Sequence, residues 1–357
     1  MQTDEARILK SFRPGKIAIP VIIGLSVAMY LLLRKFDVEA YKQIQWSWHS
    51  TFWIGMALLM MVIRDYAYMI RIRVLTDNHL TWRNAFNVIM LWEFSSAVAP
   101  AILGGGFIFA IFIINREKVN MGKSITAVMF TSFLDGVFLA VMAPLVYFVV
   151  GKENLFSSID PASLQQMAFG KGFYYSFWTI YGIIVAYKLF VAYALFVNPR
   201  FIKWLLIRIF SLPFLKKWKQ QALTTGNQLV IASAGLQKEN LRYWLISLAA
   251  TFASWTARYS IVNCIILAFN NDGVNNLVIY GRQVVMGIIM LGSPTPGGSG
   301  LAEFIFSDFL GEFIPLGLAA SLGLLWRLIS YYPYLFIGAV ILPRWVRKRL
   351  MKPHKIF

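Results

Sequence analysis

A long apolar segment, residues 277–310, is interrupted by Pro294-Thr295-Pro296-Gly297-Gly298-Ser299-Gly300-Leu301-Ala302-Glu303. Its prolines remove backbone donors and its glycines permit irregular backbone. We therefore predict that a helix arriving at Leu291 stops here and that another starts near Gly300. The free N–H groups and the positive dipole end of the second helix would favour a phosphate or a carboxylate.

A second apolar segment, residues 84–114, is interrupted in the same way. Ala99-Pro100 and then Gly104-Gly105-Gly106 stand near its middle. Both segments are long enough for more than one membrane crossing, and we predict that 84–114 and 277–310 each form a re-entrant hairpin. The alternative is that the glycines only allow neighbouring helices to pack closely.

Composition places the rest of the chain in a membrane. The 357 residues are 58% hydrophobic and 14% charged, and the mean hydropathy is +0.62. A soluble domain could not cover so much apolar surface. Further spans are predicted at 17–33, 52–70, 124–149, 173–197, 241–268 and 317–342. The predicted fold is therefore all-α, a polytopic transmembrane helical bundle formed as a single integral membrane domain, residues 1–357.

Charge sets the predicted topology. The net charge of +18 comes from basic residues at the ends of apolar runs, as the positive-inside rule requires, so nucleic acid is not an expected partner. Counting each interrupted segment as a hairpin puts every basic loop and both termini in the cytoplasm, in a bacterial cytoplasmic (inner) membrane. The hairpins then enter from opposite faces, an inverted pair. Residues 199–240 are predicted to form cytoplasmic interfacial helices.

Ionisable residues inside apolar segments are the candidates for function. Each would cost about 2.5–3.5 kcal/mol facing lipid at the bilayer centre, so they must line an interior or pair, and purely structural ion pairs are the alternative. Together with the residues of the two interruptions and one polar helix face, they form the candidate substrate-binding set: Glu93, Pro100, Gly104, Gly105, Asp135, Ser254, Arg258, Pro294, Pro296, Gly297, Gly298, Ser299, Gly300, Glu303 and Arg327. Glu303, in a first helical turn, could instead only complement the dipole.

Other polar residues receive a simpler interpretation. The basic residues from Arg64 to Arg73 lie near the end of a span, so we expect them to extend to the interface. Cys264 lies in an apolar run and the histidines His49, His79 and His354 are scattered. We therefore predict no metal site, no cofactor and no catalytic residue.

The sequence resembles the flippase-like membrane family typified by the transmembrane region of lysylphosphatidylglycerol synthases, also called multiple peptide resistance factors. The resemblance covers nearly the whole chain and rests on three elements: Pro296 to Glu303, which is similar to the late Pro-Gly-Gly-x-Gly-x-x-Glu signature, Ala99-Pro100 with Gly104-Gly105, and Asp135 with Arg327 and Tyr331-Tyr332-Pro333. The chain departs from the family at Gly106 to Ile111, where an acidic residue and an arginine are common, and at Thr131-Ser132, where an arginine is common.

The resemblance implies translocation of phospholipids or lipid-linked intermediates. We expect a flippase-like transporter of an anionic phospholipid or lipid-linked headgroup, with membrane lipids as its partners; a homo-oligomer is compatible with the sequence. Because the chain ends at Phe357 soon after the last span, we expect no lipid-modifying enzyme. The alternatives are a polyprenyl-phosphate-dependent glycosyltransferase, with Asp37 and Glu39 in its outer loop, and a secondary transporter of a soluble anion.

Overall fold

The computed structural model describes residues 46–98, 106–156, 164–212, 219–270, 273–293, 295, 297–298, 301–315 and 317–349. In these ranges the chain is helical and has no strand. The predicted span 17–33 lies outside the described residues. So do several members of the candidate set: Pro100, Gly104, Gly105, Pro294, Pro296, Ser299 and Gly300.

Thirteen α-helices lie in the described part of the chain. They are α1 (Trp48–Leu75), α2 (Trp82–Val98), α3 (Phe107–Arg116), α4 (Met121–Val150), α5 (Lys152–Phe156), α6 (Leu164–Ala192), α7 (Pro199–Ile209), α8 (Lys219–Leu236), α9 (Leu241–Phe269), α10 (Asn276–Leu291), α11 (Leu301–Leu310), α12 (Ala319–Ser330) and α13 (Tyr332–Arg349). A π-helical turn, Tyr193–Val197, joins α6 to α7, and a 3-10 turn, Gly311–Phe313, follows α11.

Five stretches of the described chain are long and apolar enough to cross a membrane: Trp48–Leu75, Met121–Val150, Tyr174–Ala192, Leu241–Phe269 and Ala319–Arg349. They coincide with the predicted spans from residue 52 onward. Large apolar side chains such as Phe148 and Ile108 are exposed on the outside, which suits a surface in contact with lipid. The protein is therefore a multi-pass helical membrane protein.

Both predicted interruptions are present. Helix α10 ends at Leu291 and α11 begins at Leu301, as the Pro/Gly run predicts. Helix α2 ends at Val98, and α3 begins after Gly106, whose φ of +80° lies in the left-handed region that glycine tolerates. With 17, 10, 16 and 10 residues, α2, α3, α10 and α11 are about 15–26 Å long, shorter than a bilayer core.

Each broken pair returns close to its starting point. Asp77 precedes α2 and Lys123 follows α3, yet the Lys123 Nζ lies 2.8 Å from an Asp77 carboxylate oxygen. In the second pair, Asn270 precedes α10 and its side-chain amide donates to the Phe313 carbonyl, beyond α11, at 2.8 Å. Helices α2 and α3 contact each other, as do α10 and α11. Each pair is thus a closed helical hairpin.

The chain contains an internal repeat of a long helix, a broken pair and another long helical segment. One constant shift in residue number relates the two copies. It carries Leu75, the end of α1, onto Phe269, the end of α9. The same shift carries the first residue of α2, Trp82, onto that of α10, Asn276, and the start of α3 at Phe107 onto the start of α11 at Leu301. One repeat is therefore α1–α4 and the other α9–α13.

The two repeats run in opposite directions. Helices α1 and α9 pack antiparallel, because the Ser50 hydroxyl near the start of α1 donates to the Ala268 carbonyl near the end of α9, at 2.7 Å. Near the other end of α1, Arg71 donates to the Thr251 hydroxyl at 3.0 Å. Helix α2 packs against α13 and α10 against α4, so each broken pair contacts the last helical segment of the opposite repeat.

The segment between the repeats contains the short α5 and the helices α6, α7 and α8. Helix α6 packs on α4 and α10, while α7 and α8 pack on each other and α8 on α4. The interfacial helices predicted in 199–240 are thus present as helices, and α7 carries its cations, Arg200, Lys203 and Arg208, on one amphipathic helix. Their position on the cytoplasmic face stays a prediction.

Candidate substrate cavity

A cavity of about 900 Å³ lies between the two repeats. Its wall includes α1, α2, α4, α6, α9, α10 and the segment around Tyr331. Six members of the candidate set line it: Glu93, Asp135, Arg258, Gly297, Gly298 and Arg327. The volume lies at the upper end of the range for small-molecule sites and could hold a lipid headgroup.

Asp135 is held by donors from two other helices. Arg71 Nη1 lies 2.6 Å from Asp135 Oδ1, and the Trp255 indole N–H donates to the same oxygen at 2.8 Å. Arg71 also donates to the Thr251 hydroxyl. The carboxylate therefore ties α4 to both α1 and α9, at the wall of the cavity.

Glu93 is paired with an arginine that lies behind the wall. Arg64 is 1% exposed and its Nη2 lies 2.7 Å from Glu93 Oε1. The same guanidinium lies 3.0 Å from Asp65 and donates to the Tyr334 hydroxyl, which donates to Asp65 at 2.7 Å. The prediction that Arg64 and Arg71 extend to the interface is wrong, because both are buried and bind carboxylates of the interior.

Arg327 organises the second interruption. It donates to Glu303 at 3.0 Å and to the Gly297 carbonyl at 2.9 Å. Glu303 itself does not line the cavity. Its carboxylate therefore anchors α11 to α12, which fits the structural interpretation better than direct contact with a substrate.

Tyr331 brings the two interruptions together. Its hydroxyl donates to the Ala97 carbonyl at the end of α2, at 2.9 Å. Its ring lies under the Arg327 guanidinium, 4.0 Å from ring centroid to Cζ, and directly against Gly297. The broken helices of both repeats thus meet at one side chain beside the cavity.

Two cations of the cavity wall have no carboxylate within 4 Å in the described part of the chain. Lys188 donates to the carbonyl and the hydroxyl of Ser132, at 2.6 and 2.7 Å, and passes over Gly136. Arg258 lies over the Trp255 ring, 5.4 Å from Cζ to the centroid. Among the lining residues in the described ranges, four cations (Arg71, Lys188, Arg258 and Arg327) face two carboxylates (Glu93 and Asp135). The interior therefore favours an anion.

Ser254 does not contribute to the cavity. Its side chain is fully buried, and its hydroxyl donates to the Thr251 carbonyl one turn earlier. It satisfies its hydrogen bond within α9 and contacts α9's own backbone rather than open space.

Sequence reasoning missed Arg64, Arg71 and Lys188. Arg64 and Lys188 lie inside predicted spans, so the criterion that selected Glu93 and Asp135 would have found them. Arg71 lies just past the end of its predicted span, and only its tertiary partners reveal its role.

The cavity also reaches the outer surface through apolar side chains. Ile108, Ile183, Tyr187 and Leu291 all line it, and their exposed fractions are 78%, 64%, 52% and 39%. Such residues face lipid in a membrane protein. The site thus combines a charged interior with apolar lining residues that are open to the bilayer.

The fold and the cavity define a class: a polytopic helical membrane protein built from two oppositely directed repeats around a polar interior. The chain belongs to the Lysylphosphatidylglycerol synthase TM region family, which it matches over residues 17–338. It is also similar to a UPF0104 membrane protein of Archaeoglobus fulgidus, with 23% identity over 290 residues, 81% of this chain and 82% of that protein. No solved structure matches the chain.

Proposed function

We propose that the protein transports a lipid: it moves an anionic phospholipid or lipid-linked headgroup across the cytoplasmic membrane and does no covalent chemistry on it. The observation that carries this proposal is the cavity, whose lining has more cations than carboxylates and includes apolar side chains exposed on the lipid-facing surface. A headgroup would occupy the charged interior while its acyl chains remain among the exposed apolar residues.

The hairpins supply the path in this proposal. Each enters the membrane from one face, breaks near the midplane and returns, and the two enter from opposite faces. Two observations support this arrangement. Contacts join the residues before each hairpin to the residues after it, and α1 packs antiparallel to α9. Irregular backbone at membrane depth is stable where it is covered by protein or lines a polar cavity, and Gly297 and Gly298 line this one.

Reconstitution tests the proposal directly. The full chain is placed in liposomes that contain phosphatidylglycerol with a fluorescent acyl chain, and the rate at which label becomes accessible to an impermeant quencher is measured. We expect this rate to rise with protein content above that of empty liposomes. The lipid extracted afterwards should be chemically unchanged.

Matched probes separate the alternatives. Fluorescent diacylglycerol flips without protein and reports membrane integrity, and encapsulated glycerol 3-phosphate reports movement of a soluble anion. If folded protein moved glycerol 3-phosphate but not labelled phosphatidylglycerol, the lipid function would be excluded and a soluble-anion transporter would replace it.

A further inference from the structure

Arg64 and Arg258 occupy equivalent positions of the two repeats. Arg64 precedes Leu75, the last residue of α1, by the same number of positions as Arg258 precedes Phe269, the last residue of α9. The shift in residue number that relates the helix ends and the hairpins therefore also relates the two arginines.

In the first repeat, carboxylates pair with the arginine. The equivalent positions of the second repeat hold no carboxylate. Arg64 contacts Asp65, the next residue, and Glu93 on α2. The equivalent positions of the second repeat hold Tyr259 and Gly287. These two positions are in contact as well, because a Cβ at Gly287 would collide with the Tyr259 hydroxyl. The carboxylates are replaced by a neutral phenol and by no side chain at all.

The replacement leaves two polar groups without a hydrogen-bond partner in the described part of the chain. Arg258 has no hydrogen bond and no carboxylate within 4 Å there; its guanidinium lies over the Trp255 ring and interacts with Glu93 and Asp65 only at longer range. The Tyr259 hydroxyl is buried in a residue that is 4% exposed, and no described residue accepts from it or donates to it. Both residues line the cavity. Arg258 is partly exposed, and the Tyr259 hydroxyl is buried. Burying a hydroxyl without a hydrogen-bond partner is costly, and a ligand that accepts from both residues would remove that cost.

The overall charge indicates what kind of ligand fits. Among the residues that the structure describes, five cations line the cavity or pair with its wall: Arg64, Arg71, Lys188, Arg258 and Arg327. Four carboxylates accompany them, Asp65, Glu93, Asp135 and Glu303. One positive charge is in excess, and a single monoanion would balance it.

Building on the proposed function, we infer that Arg258 and Tyr259 form the binding site for the phosphodiester of the transported lipid. The planar guanidinium can donate two parallel hydrogen bonds to phosphate oxygens, and the phenol can donate a third. The indole of Trp255 keeps the arginine in place from the opposite side. The position that forms a structural ion pair in the first repeat is thus a ligand site in the second.

Binding in detergent tests this site apart from transport. Short-chain phosphatidylglycerol is titrated against the purified full chain, with diacylglycerol of the same chain length as the probe that lacks phosphate. We expect binding of the phosphodiester only. Arg258→Gln should weaken it at least tenfold, Arg258→Lys less, and Tyr259→Phe by a smaller factor, with unchanged unfolding temperatures. Arg200→Gln, a charge removed from exposed α7, should bind like the natural chain.

A variant that restores the missing symmetry makes the test sharper. Tyr259→Asp combined with Gly287→Glu gives Arg258 the two carboxylates that Arg64 has. We expect this folded variant to lose phosphodiester binding at least tenfold, although Arg258 is still present, because its donors are now occupied within the protein.

Three results would overturn the inference. Arg258→Gln could bind the phosphodiester as tightly as the natural chain. Arg258→Gln could unfold at a much lower temperature while the double variant binds normally, which would make Arg258 a structural counter-charge to Glu93 and Asp65. Inorganic phosphate could bind with the same dependence on Arg258 while the short-chain lipid does not, which would replace the lipid by a free anion. Absence of transport in liposomes with this binding pattern intact would count against the proposed function alone.

Discussion

At the scale of single residues, the interior is organised by arginines whose environments differ. Arg64 is fully enclosed and binds two carboxylates and a tyrosine hydroxyl, whereas Arg258 touches an aromatic ring and open cavity. Removing one member of a buried ion pair leaves the other charge without compensation, which is more costly than never having buried the pair. The two arginines should therefore respond differently to the same substitution.

Arg64→Ala is expected to destabilise the protein by about 3–5 kcal/mol, because Asp65 and Glu93 would remain in the interior without their partner. Arg258→Ala removes no ion pair and should lower stability far less. Thermal or denaturant unfolding in a mild detergent measures both. Equal losses in the two variants would contradict the distinction between a structural and a free arginine.

The backbone conformation at position 297 and the neighbouring Tyr331 ring both require a glycine there. Its φ of +58° lies in the left-handed region, and a Cβ there would collide with the Tyr331 ring. Gly297→Ala should therefore lose about 1–2 kcal/mol from the backbone alone, together with the Tyr331 contact to Ala97. The matched control is Gly235→Ala, where nothing lies within 4 Å. Unfolding midpoints of the two variants provide the measurement; a Gly297→Ala protein as stable as Gly235→Ala would refute this interpretation.

At the scale of elements, the broken pairs are the unusual feature. Helix α2 with its 17 residues and α3 with 10 could in principle be stacked to cross the bilayer. The ion pair between Asp77 and Lys123 instead joins the start of one helix to the residues after the other. In the proposed arrangement, the hairpin therefore begins and ends on the same face of the membrane.

Cysteine labelling from one side of the membrane tests that geometry. Three single cysteine variants are made in a Cys264→Ala background. The new cysteine is Arg83→Cys near the start of α2, Met121→Cys at the start of α4, or Lys152→Cys just after α4. Because α4 has 30 residues and spans about 45 Å, positions 121 and 152 must label from opposite faces. We expect position 83 to label together with 121. Labelling of position 83 together with 152 would mean that α2 and α3 cross the membrane.

In the whole molecule, the antiparallel pair of α1 and α9 joins the two repeats. The hairpin of each repeat also packs against the last helical segment of the other repeat. This places one arginine-bearing helix from each repeat beside a common cavity. An arrangement of this kind can present similar surfaces to both faces of a membrane, which suits the proposed transport of a lipid.

The pairing of α1 with α9 is open to a direct test. Cysteines at Ser50 and Ala268 should form a disulfide under mild oxidation, since the two residues are joined by a hydrogen bond of 2.7 Å. Cysteines at Ser50 and Arg242, near the start of α9, should not, because antiparallel packing puts them at opposite ends of the pair. Gel mobility before and after reduction reports the link. A bond in the second pair alone would require a parallel arrangement.

Local chemistry determined much of this protein from its sequence alone. The apolar runs predict the spans because lipid requires about 20 apolar residues per crossing, and the prolines and glycines predict the ends of α2 and α10 because they act on the backbone where they stand. Charge inside an apolar run marked Glu93, Asp135, Arg258 and Arg327 as interior residues, since the cost of exposing them to lipid does not depend on their partners.

Which of those charges are paired depends on the packing of the helices. Arg64 and Arg258 have the same place in their helices, and local sequence distinguishes them only by the next residue, Asp65 or Tyr259. The carboxylate of Glu93 reaches Arg64 from another helix, while at Gly287 there is no side chain to reach Arg258. Pairing depends on contacts between segments far apart in the chain, such as Arg71 with Asp135 or Tyr331 with Ala97. Local sequence therefore determines which residues must be inside, and packing determines which of them are left for a ligand.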